Sequence, residues 1–185
     1  MTPTPVRAER SRSTLTPFDA AQGERGEAIV IDHLTPAEAD AAAALWAEAG
    51  LIRAWNDPHA DIAAALACPT STILAAREEG RVIGTVMAGY DGHRGWLYYV
   101  AVAAAQRGTG LGRALVEAAE HWLAQQGARV IRLMVRGENK AVTAFYAALG
   151  YEDGEMIVLG KRLSILPRQG EVAPQATEGE DSNTD

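Results

Sequence analysis

The residues best suited to chemistry are three closely spaced glycines, Gly108, Gly110 and Gly112, interleaved with Arg107, Thr109, Leu111 and Arg113. They follow the apolar run Val100-Ala101-Val102-Ala103-Ala104-Ala105 and precede an amphipathic stretch that ends near Gln126. This reads as strand, bend, glycine turn, helix. Without side chains on the glycines, backbone N–H groups can converge on a closely approaching ligand. A helix start adds unpaired N–H groups and a positive dipole end. The combination suits an anion, most often a phosphate.

Two phosphate motifs do not fit. A Walker loop needs a lysine and a Mg²⁺-binding hydroxyl after its last glycine, but Arg113-Ala114 follows Gly112. A dinucleotide fingerprint needs its third glycine one position later and an acid about 20 residues on, where Ala128-Arg129-Val130-Ile131-Arg132 offers none.

The elements that must position the turn follow from periodicity and caps. Residues 28–34 read as a first strand. Thr35, Pro36 and Glu38 form a capping box that opens an alanine-rich helix to Glu48, with Leu45 and Trp46 as core contacts and Gly50 as its stop. A link, residues 51–57, leads to a second helix from Pro58 to Ala67, with Asp57 as its cap. Residues 71–77 and 81–90 pair as antiparallel strands, and a hairpin loop at 91–95 leads to a strand over 96–102. The helix at 110–126 buries Leu111, Leu115, Ala118, Ala119, Trp122 and Leu123 on one face. A strand at 128–135, a helix at 139–149 and a last strand or strand pair at 155–163 complete the order β-α-α-β-β-β-α-β-α-β. The expected class is α/β or α+β, with a mixed sheet of six to seven strands and four flanking helices.

Composition sets the frame. The 185 residues are 48% hydrophobic with a net charge of −7, enough for one core and against a general nucleic-acid binder. No apolar run approaches the roughly 20 residues that span a bilayer, and the N-terminus lacks the apolar stretch of a secretory signal. The single cysteine, Cys68, has no internal partner and is expected to be a small buried residue, which fits the reducing cytoplasm. His33, His59 and His121 show no ligand spacing, so no metal is expected. Residues 1–26, with Arg7, Arg10, Arg12 and Arg25, read as a disordered arm. Residues 168–185, with Glu171, Glu178, Glu180, Asp181 and Asp185, read as an acidic disordered tail. The folded domain is expected over 27–167, as a monomer or homodimer.

Arg107, Gly110 and Gly112 fit R-x-x-G-x-G, which resembles motif A of the GNAT (Gcn5-related) N-acetyltransferases. Asn139, Tyr146, Leu149, Gly150 and Tyr151 fit N-x₆-Y-x₂-L-G-[YF], which resembles motif B of that family and falls on the helix where the family has it. Residues 51–58, 84–95, Tyr98-Tyr99 and 159–163 are further similar to the bacterial YpeA-type acetyltransferases. The resemblance implies a sheet splayed beside motif A, with the pantetheine arm of acetyl-CoA against Val100, Ala101 and Val102. It implies that the pyrophosphate lies on Arg107, Gly108, Thr109, Gly110, Leu111, Gly112 and Arg113, and that Asn139 bonds the cofactor arm. It also implies Tyr146 as the general acid beside the CoA sulfur, since a phenol with pKa about 10 is protonated at neutral pH.

The base departs from the RimI-type relatives, which have a glutamate five positions before the motif B asparagine; here Met134 stands there. Glu138, Tyr98, Tyr99, a water, a backbone carbonyl or an already neutral amine remain open for that role. The acceptor is expected between the 53–57 link and the 91–94 hairpin, with Trp55, Asn56, Asp57, Asp91, His93 and Tyr98 as candidates. Each has a plainer reading: Asp57 as a helix cap, Asp91 as a turn former, Trp55 as a core anchor, His93 as an exposed loop residue. The expected activity is acetyl transfer from acetyl-CoA to a primary amine by direct attack, because no placed nucleophile demands an acetyl-enzyme. A non-catalytic acyl-CoA-binding or sensing module is the alternative, and an adaptor acting through the charged tails a further one.

Overall fold

The computed structural model describes residues 29–161. Five strands form one sheet in the order β1-β2-β3-β4-β5: Val30–His33, Ser71–Glu78, Arg81–Tyr90, Gly95–Val102 and Ile131–Leu133. The first four pair antiparallel and β4–β5 is parallel, so α3 (Leu111–Gln125) serves as the crossover. Helices α1 (Ala39–Glu48) and α2 (Pro58–Ala67) precede β2, and α4 (Lys140–Ala147) follows β5.

The helix ends sit where the caps predict. Thr35 and Glu38 form the reciprocal capping box ahead of α1, and Pro36 opens its first, tighter turn. The Asp57 carboxylate accepts from the His59 and Ala60 N–H groups at the start of α2. Gly127 and Gly150, with φ of 97° and 87°, take the left-handed conformation just past α3 and α4.

The sheet separates two apolar layers. On one face Trp46, Ala42, Ala43, Leu45 and Ile62 meet Ile73, Ala75, Met87 and Ala101. On the other, α3 lies so close that a Cβ on Gly84 would stand 2.8 Å from Leu115, and one on Gly95 2.8 Å from Leu123. Arg77 of β2 ties the sheet to the start of α1. Its Nε and Nη2 donate to the two Glu38 carboxylate oxygens at 2.5 and 2.7 Å, and Nη2 also reaches the His33 carbonyl at 2.9 Å.

The strand count differs from the expected six to seven. β5 covers only three residues of the 128–135 run, because its ladder with β4 ends at Leu97 opposite Leu133. The expected last strand at 155–163 is not formed over its described part, 155–161, which carries no regular element. That part belongs to a separate unit beginning at Tyr151, and its Met156, Ile157, Val158 and Leu159 are exposed. Apolar β-formers make a strand only where a paired edge receives their backbone groups. Cys68 also departs from expectation. It is exposed at the end of α2, and hydrogen bonds with Thr70 hold its thiol below the usual range. The two expected tails, 1–26 and 168–185, lie outside the described residues.

Two outcomes follow from the packing and the ion pair. Gly95→Ala should destabilise the fold by about 1–3 kcal/mol, read as a lower Tm, because the fully buried Leu123 has no room to withdraw. The Arg77 guanidinium, opposed in part by burial and helped by Thr35, lowers the Glu38 carboxyl from 4.5 to about 2. A depressed carboxylate adds stability that is fully present above its unfolded value and is lost as pH falls through its folded one. Urea midpoints should therefore drop from about pH 5 to about pH 2, and drop less in Glu38→Gln.

Candidate active site

The site begins with an irregularity in β4. Thr85 pairs with Ala101 and Met87 with Tyr98, so Val86 alone faces both Tyr99 and Val100. That is a β-bulge, and Tyr99 takes φ of 47° within it. A strict two-residue alternation would put Gly95 and Ala101 on one face of the sheet. Instead Gly95 faces Leu123 of α3, while Ala101 joins the cluster around Trp46. A left-handed tyrosine costs on the order of 1–3 kcal/mol and persists only where its surroundings over-determine it.

Four contacts do so. The Trp46 and Tyr99 rings stack with centroids 3.9 Å apart at 9°. Trp46 Nε1 donates to Thr85 Oγ1 at 2.8 Å, and that hydroxyl donates to the Tyr99 carbonyl at 3.3 Å. The Tyr99 hydroxyl donates to Asp61 Oδ2 at 2.6 Å and accepts from Asn56 Nδ2 at 2.9 Å.

Beyond the bulge β4 has one paired edge and one open edge. β5 pairs with residues 95–97 only, so along 98–102 no strand lies on that side among the described residues. Val100, Ala101 and Val102 thus present backbone groups there, while the Ala101 side chain is buried in the core.

The chain leaves β4 through a single tight turn at Ala104–Gln106 and enters the glycine turn. Gly108 and Gly110 have φ of 79° and 94°, and nothing lies within 4 Å of where either Cβ would stand. Thr109 Oγ1 closes the turn onto the Gln106 carbonyl at 2.8 Å. The first helical bond of α3 runs from the Ala114 N–H to the Gly110 carbonyl, so the N–H groups of Leu111, Gly112 and Arg113 have no acceptor within the helix. Leu111 is buried and anchors this end, offering a ligand its backbone rather than its side chain. Arg107 is exposed, and Arg113 reaches the Ala148 carbonyl at 3.3 Å and Glu117 at 3.7 Å. Open space over the glycines and the donor N–H groups at the start of α3 together suit an anion.

Helix α4 comes against that turn. The Phe145 ring lies over Gly112, 3.5 Å from where its Cβ would be. Asn139 caps α4, with Oδ1 accepting from the Val142 N–H at 3.2 Å, which leaves its amide N–H₂ as the group it can offer a ligand. Tyr146 is 8% exposed, and burial pushes its phenol up to about 12. Met134 is exposed, as is Glu138. Burial, with the Asp61 carboxylate, pushes Tyr99 up to about 12, and burial raises Tyr98. Both phenols therefore stay protonated at neutral pH and are poor bases.

The expected acceptor walls separate into two groups. Asn56 joins Tyr99 and Asp61, with Nδ2 also 3.3 Å from Asp61 Oδ2. Tyr98 stacks on Trp96, whose Nε1 donates to Asp91 at 2.9 Å. Asp91 also accepts from the Arg94 and His93 N–H groups, and these bonds, the Arg94 one foremost, hold its carboxyl down to about 2. Asp57 and Asp91 thus do the work of a cap and a turn, and His93 is exposed. Trp55 is 66% exposed and is no core anchor. Asp61, Thr85 and the structural role of Tyr99 were not anticipated; a threonine amid the apolar run 82–88 was the signal that a buried hydroxyl needed partners. Among the described residues no three of His, Cys, Asp and Glu stand together as a metal site, and no helix is long and apolar enough to cross a membrane.

Comparison with known proteins agrees with this architecture. The family model described as "Acetyltransferase (GNAT) family" matches residues 39–151. An acetyltransferase of Pectobacterium atrosepticum is 44% identical over 124 residues, 67% of this chain and 88% of its own length. One of Sodalis glossinidius is 44% identical over 120 residues, 64% of this chain and 84% of its own. Among solved structures, an aminoglycoside N-acetyltransferase in complex with CoA superposes with a TM-score of 0.66 at 20% identity, over 76% of this chain and 99% of that one. At that identity the likeness speaks for the fold. A mixed sheet opened beside a glycine turn, and a family match spanning that turn and the Asn139–Tyr146 helix, lead to one assignment: the chain is an acetyltransferase belonging to the GNAT family.

Proposed function

We propose that the protein transfers an acetyl group from acetyl-CoA to a primary amine by direct attack in a ternary complex. The observation that carries this reading is the continuity of the open β4 edge at 98–102 with the N–H cradle at 108–113. A ligand with an amide-bearing arm and a pyrophosphate fits such a path, its arm along the strand and its charge at the helix start. Arg107 and Arg113 add positive charge at that end, and Asn139 offers an amide donor beside it.

In this reading β4 backbone N–H groups polarise the thioester carbonyl and hold the oxyanion that forms there. The amine nitrogen makes the new C–N bond, the C–S bond breaks, and Tyr146 donates its proton to the departing sulfur. Its raised pKa keeps it protonated across the working range. The proton lost by the amine goes to water or to the exposed Glu138 carboxylate, since Met134 cannot accept it and the two phenols of β4 are protonated, and Tyr146 recovers its own proton from solvent. Cys68, exposed at the end of α2, hydrogen-bonds to Thr70 rather than to a base, so it is not read as an acetyl carrier.

An acetyl-CoA consumption assay over panels of small amines and peptides tests the activity. Turnover of one class identifies the acceptor; CoA binding without turnover on any amine would favour a sensing module. Tyr146→Phe should lower kcat by about 10²-fold with little change in acetyl-CoA KM, the scale of general acid catalysis. Unchanged turnover would remove Tyr146 from that role. Asn139 separates its two duties by substitution. Asn139→Asp keeps the capping oxygen but loses the amide donor, so it should weaken CoA binding in calorimetry while Tm holds. Asn139→Ala should weaken binding and also cost about 1 kcal/mol of stability through the lost cap.

A further inference from the structure

We infer that Asp61 and Asn56 are positioning residues for acetyl transfer, acting through the Tyr99 hydroxyl on the backbone of β4. The inference rests on the reading above, in which the open edge at 98–102 receives the thioester arm. Tyr99 is the residue at which β4 changes face, so the direction of its peptide groups sets what the open edge presents.

The restraints on Tyr99 come from two places. Thr85 and Trp46 are fully buried, and they hold its carbonyl and ring from inside the core. Asp61 and Asn56 are half-buried on α2 and the link before it, and they hold its hydroxyl from outside. The three polar groups form a closed set. The hydroxyl donates to Asp61 Oδ2, and Asn56 Nδ2 lies within reach of both oxygens. A carboxylate that receives two donors in a partly desolvated place makes a firm tether. Its direction matters more than its strength, because a hydroxyl fixed at the ring's far end resists the rotation that would return φ to the ordinary strand region. Asn56 also neighbours exposed Trp55 and the capping Asp57, so the link connects the outer surface to the strand.

The test uses the full chain with Tyr99→Phe, Asp61→Ala, Asp61→Asn and the Tyr99→Phe/Asp61→Ala double variant. Tyr99→Phe and Asp61→Ala should each lower kcat about tenfold while acetyl-CoA KM stays within about twofold, the signature of lost alignment rather than lost binding. The double variant should be no slower than either single one, because both remove the same bond. Asp61→Asn should keep most of the activity, since its amide oxygen still accepts the hydroxyl. Amide hydrogen exchange along 98–102 should quicken in both single variants and not in Asp61→Asn. Losses that multiply in the double variant, or exchange at 98–102 that is unchanged, would overturn the inference. If the wild type acetylates no amine, the reaction reading fails by itself. The exchange measurement still decides the tether, faster exchange supporting it and unchanged exchange ending it.

Discussion

A left-handed tyrosine in the middle of a strand is the constraint on which the rest of the structure depends. Backbone sterics oppose φ of 47° at any residue with a side chain, so Tyr99 stays there because its neighbours leave it nowhere else. The stacked Trp46 ring, the Thr85 hydroxyl and the Asp61–Asn56 pair each act on a different part of the residue. What this achieves is a change of face. The segment before the bulge packs Gly95 against Leu123 of α3, and the segment after it turns Ala101 toward the cluster around Trp46. Pairing with β5 ends at Leu97, just before this change, and the open edge begins there.

The second constraint is electrostatic. The glycine turn gathers N–H groups at the positive end of the α3 dipole, on a chain whose overall charge is −7. A positive spot on an acidic protein is a local arrangement rather than a general attraction for polyanions. Arg77 illustrates a structural use of a guanidinium. It is spent on Glu38 and the His33 carbonyl, where it fastens the first helix to the sheet and is removed from any ligand chemistry.

Local structure was legible in the sequence wherever one residue type answers one backbone need. Asp57 before Pro58, the Thr35–Glu38 box, and the glycines after α3 and α4 all stand where the chain requires them. The glycine turn was legible for the same reason. The bulge was not, because Tyr98, Tyr99 and Val100 are all ordinary strand formers and a slip in alternation leaves no mark in such a run. The stretch 155–161 misled in the opposite sense: its apolar residues favour a strand, yet pairing is a property of two segments and not of one. Residue type alone puts Cys68 inside and gives Trp55 a core reading beside its acceptor-wall one, and both are exposed. At the site, the backbone of the glycine turn and the helix that Asn139 caps could be read in advance. The Asp61–Tyr99 contact, between residues far apart in the chain, could not.

The placing of α4 has a consequence of its own. Its preceding strand is held by only three residue pairs, whereas Phe145 lies over Gly112 and Arg113 reaches across to the Ala148 carbonyl. The helix that carries Asn139 and Tyr146 is thus registered against the first turn of α3 more directly than against the sheet. The two helices therefore form one joined corner, with the glycine turn on one arm and Asn139 and Tyr146 on the other. Any change that shifts the first turn of α3 therefore carries Asn139 and Tyr146 with it, even where the pairing of β4 and β5 is undisturbed.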